Sequence, residues 1–153
     1  MFRWFSFALI QFVMALLIFS FGCSASPVDR EVIFTPNAPA AIAPYSQGIR
    51  VANTLYVSGQ IGVDPATHEF VPGGIAEQTH QVIKNTQAVL EAAGFSLEDV
   101  VQSQVFLSDI NNYAAMNEVY GSYFKNAPPA RAALQVARLP KDALIEILVV
   151  AVK

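Results

Sequence analysis

Residues 128–152, PPARAALQVARLPKDALIEILVVAV, decide how the rest of this chain is arranged. They contain two apolar, strand-like runs, 130–136 and 144–152, which are separated by a polar turn that includes Pro140 and Asp142. Both faces of the second run are apolar. The pattern therefore predicts a strand that is covered on both sides and lies at the centre of its sheet.

Each run also carries one charged residue in an otherwise apolar setting: Arg131 in the first and Glu146 in the second. A buried carboxylate is costly unless it is paired, hydrogen-bonded or turned toward a wet cavity. One interpretation is a structural ion pair between Arg131 and Glu146. The other is a cleft in which Arg131 binds an anionic substrate while Glu146 handles a proton or a water molecule.

Length and composition predict one globular domain behind a targeting segment. The chain has 153 residues, which is enough to bury a sizeable core. The first 22 residues hold seven of the 17 aromatic residues and a single charge, Arg3, whereas residues 24–153 carry eight Lys/Arg against twelve Asp/Glu. This acidic balance, without a basic patch, gives nucleic acid little electrostatic attraction.

Residues 1–23 have the pattern of an export signal, with Arg3 followed by an apolar run and then Cys23. The end of this segment, FSFGC, resembles a bacterial lipoprotein signal, although Ser20 stands where an aliphatic residue is expected. Cys23 is then the expected lipidation site, and residues 24–30 form a tether. We expect an exported protein, periplasmic or held at a bacterial membrane as a lipoprotein.

Two alternatives remain for this segment. A signal peptidase cleaving after Ala25 would release a soluble exported domain. The apolar run is also just long enough to remain as an uncleaved membrane anchor.

The only cysteine is Cys23, so the domain that follows can form no internal disulfide and has no cysteine nucleophile. The domain has two histidines, His68 in a predicted loop and His80 in the predicted helix that follows it. We interpret both as surface histidines and expect no metal site.

The folded domain is expected to span residues 31–153 and to alternate strands with helices. The pattern predicts strands at 32–34, 48–51, 55–61 and 100–107, and helices at 75–93 and 111–124, ahead of the two C-terminal strands. This order indicates an α+β domain with both helices packed on one face of a mixed sheet. The other face would need a second subunit to cover it, which predicts an oligomer.

The second predicted helix has an aromatic stripe that we interpret as core, formed by Tyr113, Met116, Tyr120, Tyr123 and Phe124. Asn117 adjoins this stripe. It is either a polar residue of the helix face or a hydrogen-bonding residue of the cleft.

Five segments of the chain, 37–49, 55–65, 92–110, 113–124 and 128–147, resemble the RidA/YjgF family. The most specific of them contains the turn Ala-Arg-Leu-Pro-Lys-Asp between two strands. The resemblance covers essentially all of residues 31–153. It implies a fold similar to that of chorismate mutase, a homotrimer with clefts between adjacent subunits, and no cofactor or metal. The implied activity is hydrolysis of 2-imino acids, which are enamine/imine products of amino-acid dehydratases, to 2-keto acids and ammonia.

The resemblance also implies roles for individual residues. Arg131 would bind the substrate carboxylate through its planar guanidinium, and Glu146 would hold and activate the attacking water or shuttle its proton. The residues expected to line the cleft and bind the substrate or its water are Tyr45, Ser58, Gly59 and Asn117. Ser58 also has a second interpretation, as a turn residue at a strand end.

One position departs from the family pattern. Ala133 stands two residues after Arg131, where many members of the family have cysteine. This removes thiol chemistry from the site and leaves the Arg131 and Glu146 pair intact.

A different class of function is also compatible with the same cleft. In place of an enzyme, the protein would be a non-catalytic trimer that binds small carboxylates or 2-keto acids in the cell envelope. A ribonuclease activity finds no support in the charge or in the spacing of aromatic residues.

Overall fold

The structure is a computed structural model that describes residues 28–153. The expected export signal, the lipid acceptor Cys23 and most of the tether lie outside the described residues. The first strand begins at Arg30, one residue before the expected start of the domain.

The domain consists of one six-stranded sheet and two α-helices. The strands are β1 (Arg30–Ile33), β2 (Gly48–Val51), β3 (Thr54–Ile61), β4 (Val100–Leu107), β5 (Ala130–Gln135) and β6 (Ile145–Val152). The helices are α1 (Ile75–Ala92) and α2 (Tyr113–Tyr123), and short 3₁₀ turns cover 97–99, 110–112 and 140–142. The order of strands is β1-β2-β3-β6-β4-β5, and only the β4–β5 pair is parallel. This is the α+β mixed sheet that the sequence predicts.

Strand β6 lies at the centre of the sheet, between β3 and β4, as predicted. On one of its faces, four buried side chains belong to the same hydrophobic core as residues of both helices: Ile145, Ile147, Val149 and Ala151. Glu146, Leu148 and Val150 on the other face are only half-buried. The prediction of cover on both sides is therefore wrong for the single chain, because both helices pack on the same face.

A bulge in β4 changes which of its residues face the core. Val100 pairs with Ala151 and Gln102 with Val150, so Val101 is an extra residue and remains 48% exposed. The alternation of apolar residues along this strand, at Val101, Val105 and Leu107, is therefore broken at Val101.

The two helices begin and end close to their predicted limits. Gly94, with φ of 78°, follows α1 in the left-handed conformation that glycine adopts without strain. Before α2, the Asp109 side chain accepts a hydrogen bond from the Asn111 backbone nitrogen. This cap stabilises a 3₁₀ turn, so the α-helix itself begins at Tyr113.

Neither helix of residues 28–153 combines the length and the apolar character needed to cross a membrane.

Candidate functional site

Glu146 projects from the half-buried face of β6, which neither helix covers, onto a bulge in β3. The β3–β6 register shifts between Val57 and Gln60, so that Ser58 and Gly59 form the bulge. A Cβ built on Gly59 would lie 2.8 Å from the Cδ of Glu146. Only glycine leaves space for the carboxylate at this position.

The carboxylate of Glu146 is half-buried and accepts no hydrogen bond from residues 28–153. Its burial raises the pKa of this carboxyl above the ordinary value of 4.5. Partial desolvation without a protein partner leaves the carboxylate free to accept a proton from a bound ligand or water.

A cavity of about 300 Å³ opens in front of this carboxylate. It brings together four of the predicted site residues, Tyr45, Ser58, Gly59 and Glu146. The remaining wall is largely apolar, formed by Ile42, Ala43, Ile61 and Pro140. An apolar pocket with a few polar groups is typical of a small-molecule site.

Ser58 lies within β3, so its interpretation as a strand-end turn residue is wrong. Its hydroxyl donates a hydrogen bond to the carbonyl of Ser46, at 2.6 Å, and its backbone nitrogen donates to the carbonyl of Gln47. Ser58 thus ties the loop that carries Tyr45 to the floor of the cavity.

Sequence reasoning missed Gln47, which fixes the shape of the same loop. Its buried side-chain amide accepts a hydrogen bond from the Thr35 nitrogen at 2.7 Å and donates to the carbonyls of Thr35, Ala38 and Pro39. A buried amide that satisfies four backbone partners rigidifies a loop that has little secondary structure. A glutamine beside a proline-rich loop was the available signal.

Arg131 lies on the edge strand β5, on the face that the helices cover. Its Nη2 atom donates to Asn117 Oδ1 at 2.7 Å, and its guanidinium carbon lies 4.5 Å from the centre of the Tyr120 ring. Arg131 takes part in none of the ion pairs among residues 28–153. The guanidinium is therefore oriented by neutral groups, and its charge remains available to an anionic ligand.

The helix stripe beside Arg131 is only partly core. Met116 and Tyr120 are buried, whereas Tyr113 is 40% exposed and its hydroxyl lies 3.4 Å from Arg131 Nη2. The Asn117 side chain and the charge of Arg131 lower the pKa of Tyr113. The interpretation of Tyr113 as a core residue is therefore wrong. For Asn117, the hydrogen bond to Arg131 favours the interpretation as a residue of the cleft.

Arg131 and Glu146 lie on opposite faces of the sheet. Arg131 pairs with Ser103 of β4, and Ser103 pairs with Val149 of β6, whose side chain faces the helices. Glu146 pairs with Phe106 of β4, and both lie on the other face. Strand β4 also separates their two strands. The interpretation as an ion pair within one chain is therefore wrong. One chain contains two separate clusters: an Arg131 cluster with Asn117, and a Glu146 cluster with Tyr45, Ser58 and Gly59.

Both histidines of the domain are exposed, as expected. His80 Nδ1 lies 3.0 Å from the Tyr123 hydroxyl, and His68 belongs to the loop before α1. Across residues 28–153, no three His, Cys, Asp or Glu side chains are grouped closely enough to hold a metal ion.

The six-stranded mixed sheet, with both helices on one face, defines a class of small α+β proteins. The family model described as Endoribonuclease L-PSP matches residues 35–153, and the chain belongs to this family.

The sequence is 56% identical over 124 residues to a RutC family protein of Pyrococcus horikoshii, covering 81% of this chain and 98% of that protein. It is 47% identical over 128 residues to the 2-iminobutanoate/2-iminopropanoate deaminase of Mus musculus, covering 84% of this chain and 95% of the enzyme. Among solved structures, E. coli TdcF with bound serine superposes with a TM-score of 0.78 at 40% identity, covering 80% of this chain and 98% of that one. The fold and the family resemblance predicted from the sequence are confirmed.

Proposed function

We propose that this protein is a cofactor-independent hydrolase that converts small 2-imino acids, such as 2-iminobutanoate and 2-iminopropanoate, to 2-keto acids and ammonia. The observation that carries the proposal is the Glu146 carboxylate, half-buried and without a hydrogen-bond partner in the described chain, at a cavity of small-molecule size. The mouse relative named as a deaminase of these two imines supports the substrate class.

The reaction requires few functional groups from the protein. A protonated imine carbon is already electrophilic, so the site needs to position a water molecule and to move protons. As the oxygen of the water molecule bonds to the imine carbon, Glu146 accepts a proton from that water. The product of this step is a carbinolamine. A proton then passes to the nitrogen, the carbon–nitrogen bond breaks, ammonia leaves as ammonium, and the carbonyl of the 2-keto acid forms.

Arg131 binds the carboxylate that all these substrates share. A guanidinium donates two parallel hydrogen bonds to a carboxylate, and Asn117 together with the Tyr120 ring already orients it. Imines without an acid group would lose this interaction and bind poorly.

We further propose that each complete cleft forms between two copies of the chain in a homotrimer, because one chain holds Arg131 and Glu146 on opposite faces. The face around Glu146 exposes four apolar side chains, Val32, Tyr56, Leu134 and Val152. If the edge strand β5 of one copy packs on this face of the next, the contact is head-to-tail, and such contacts form a ring when the rotation between copies closes. In this arrangement, Arg131 of one copy reaches the Glu146 cavity of its neighbour.

The test is to co-express an Arg131→Ala chain with a Glu146→Gln chain and to follow loss of 2-iminobutanoate. Each variant alone is expected to be inactive. A mixed ring would contain one cleft with both functional groups, so activity should return in the mixture. The two chains carry different affinity tags, so that mixed oligomers can be isolated. If these mixed oligomers do not recover activity, the shared cleft is contradicted.

The second candidate is a non-catalytic trimer that binds small carboxylates. The structure of the TdcF relative is described with bound serine, which is consistent with either role for a site of this kind. An inactive wild type that binds 2-ketobutyrate in a calorimeter would favour this candidate. The family description refers to an endoribonuclease, but a formal net charge of −3 gives a polyanion little attraction.

A further inference from the structure

A second cavity, of about 180 Å³, adjoins the Glu146 cavity, and the hydrolytic steps do not use it. The two cavities share the side of the cleft formed by Ile42, Tyr45, Gly59 and Ile61. A ligand whose reacting carbon lies at Glu146 would extend past these four residues to reach the second cavity.

Lys141 lines this second cavity together with His68. The Lys141 Nζ atom donates one hydrogen bond to the His68 carbonyl, at 3.3 Å. A lysine ammonium carries three N–H donors, so two remain for a ligand.

The charge of Lys141 is not neutralised by its acidic neighbour. The Asp142 carboxylate binds Arg138 through two hydrogen bonds, at 2.6 and 2.9 Å. None of the ion pairs among residues 28–153 includes Lys141. A cation at the wall of a cavity, without a carboxylate partner, is suited to an anionic group of a ligand.

The backbone holds Lys141 at the cavity in an unusual conformation. Lys141, Asp142 and His68 all have φ close to 60°, the left-handed region that residues other than glycine rarely adopt. Such a conformation persists only where the surrounding structure imposes it, and it is frequent at ligand sites. The two turns meet at the hydrogen bond from Lys141 to His68.

We propose that Lys141 binds a second, distal carboxylate of the substrate, so that the cleft accepts 2-imino dicarboxylates derived from acidic amino acids as well as short-chain 2-imino acids. This inference rests on the proposed function, since the reacting carbon remains at Glu146. The distal group lies in the second cavity and does not enter the bond-forming steps.

The test compares two imines on the full-length chain. 2-Iminosuccinate is generated from D-aspartate by D-aspartate oxidase, and 2-iminobutanoate from 2-aminobutyrate by an amino-acid oxidase. Lys141→Met should lower kcat/KM for 2-iminosuccinate about tenfold, the usual effect of losing one charge-assisted hydrogen bond. The same variant should leave 2-iminobutanoate within about twofold of wild type, and Lys141→Arg should retain both activities.

Lys84→Met is the matched control, because Lys84 is an exposed lysine of α1 that does not line either cavity. It should change neither activity. Calorimetric titration with 2-ketoglutarate and 2-ketobutyrate gives a readout that does not depend on turnover. Lys141→Met should weaken binding of the first about tenfold and leave the second unchanged.

The failures of the two proposals can be distinguished. If wild type hydrolyses 2-iminobutanoate and Lys141→Met leaves the ratio of the two imine activities unchanged, the distal carboxylate site is wrong and the deaminase proposal stands. If wild type hydrolyses neither imine, the deaminase proposal is wrong. The calorimetric contrast between the two keto acids then decides whether Lys141 binds a distal carboxylate.

Discussion

The carboxylate of Glu146 packs directly against the Cα of Gly59, with no room for a side chain between them. A Cβ at position 59 would lie 2.8 Å from Glu146 Cδ and 3.0 Å from its Cγ. The bulge in β3 creates this close approach, and the approach fixes where the carboxylate enters the cavity.

We therefore expect Gly59→Ala to displace the carboxylate and to lower kcat/KM for 2-iminobutanoate about a hundredfold, the cost of a misplaced catalytic group. Gly121→Ala is the control, because a Cβ at Gly121 in α2 meets nothing within 4 Å. It should keep full activity and stabilise the helix by about 0.5–1 kcal/mol. Wild-type activity in Gly59→Ala would contradict the assigned position of Glu146.

Glu146→Gln should lower kcat at least about a hundredfold, because an amide cannot accept the proton of the attacking water. In wild type, activity should fall as the pH is lowered through the pKa of Glu146, which burial raises above 4.5. A profile of kcat/KM against pH measures this acid limb. Glu98→Gln, at an exposed position, should leave both the rate and the profile unchanged. A flat profile from pH 4 to 8 would be inconsistent with a carboxylate base.

The same raised pKa predicts a dependence of stability on pH. Between the unfolded and the folded pKa of Glu146, the folded chain binds more protons than the unfolded chain, so this group makes stability fall as the pH rises. Glu146→Gln should therefore melt at a higher temperature than wild type at pH 7. The difference should disappear below the unfolded pKa. If the difference in melting temperature between the two proteins stays constant over the whole pH range, Glu146 is not desolvated in the folded chain.

Arg131→Ala should abolish measurable hydrolysis of 2-iminobutanoate, because the substrate carboxylate loses its only assigned cationic partner. Arg131→Lys should recover a small part of the activity, since an ammonium keeps the charge but not the planar pair of donors. The measurement is kcat/KM with the imine generated by an oxidase. Arg138→Ala is a suitable control, because the Arg138 guanidinium is bound by Asp142. Equal activity in Arg131→Ala and wild type would remove Arg131 from the mechanism.

We propose that residues 1–23 direct export and that Cys23 carries the lipid. Radiolabelled palmitate should be incorporated into the wild-type chain and not into Cys23→Ala. Label in neither protein would contradict the lipoprotein proposal. Cleavage after Ala25 would then be recognised by mass spectrometry of the mature chain.

Much of the fold could be predicted from local patterns. Apolar runs located the strands β2 and β3 and both C-terminal strands, and a helical repeat followed by Gly94 located α1. These signals are local, because strand and helix periodicities are read over a few neighbouring residues. The charges at Arg131 and Glu146 were noticeable for the same reason: each interrupts an apolar run.

Features that depend on pairing between distant segments could not be predicted from local sequence patterns. Val101 departs from the alternation along β4 because the register with β6 shifts at this residue. Tyr113 departs from the apolar stripe of α2 because its hydroxyl contacts Arg131. Gln47 was missed because its partners lie in a loop without any periodicity.

The sequence by itself determined which residues form strands and helices, and that one arginine and one carboxylate interrupt apolar strands. Only the tertiary structure decided that these two groups lie on opposite faces of the sheet, with β4 between their strands. The physical reason is that side chains alternate along each strand, so the face a residue occupies depends on strand register and on where the helices pack.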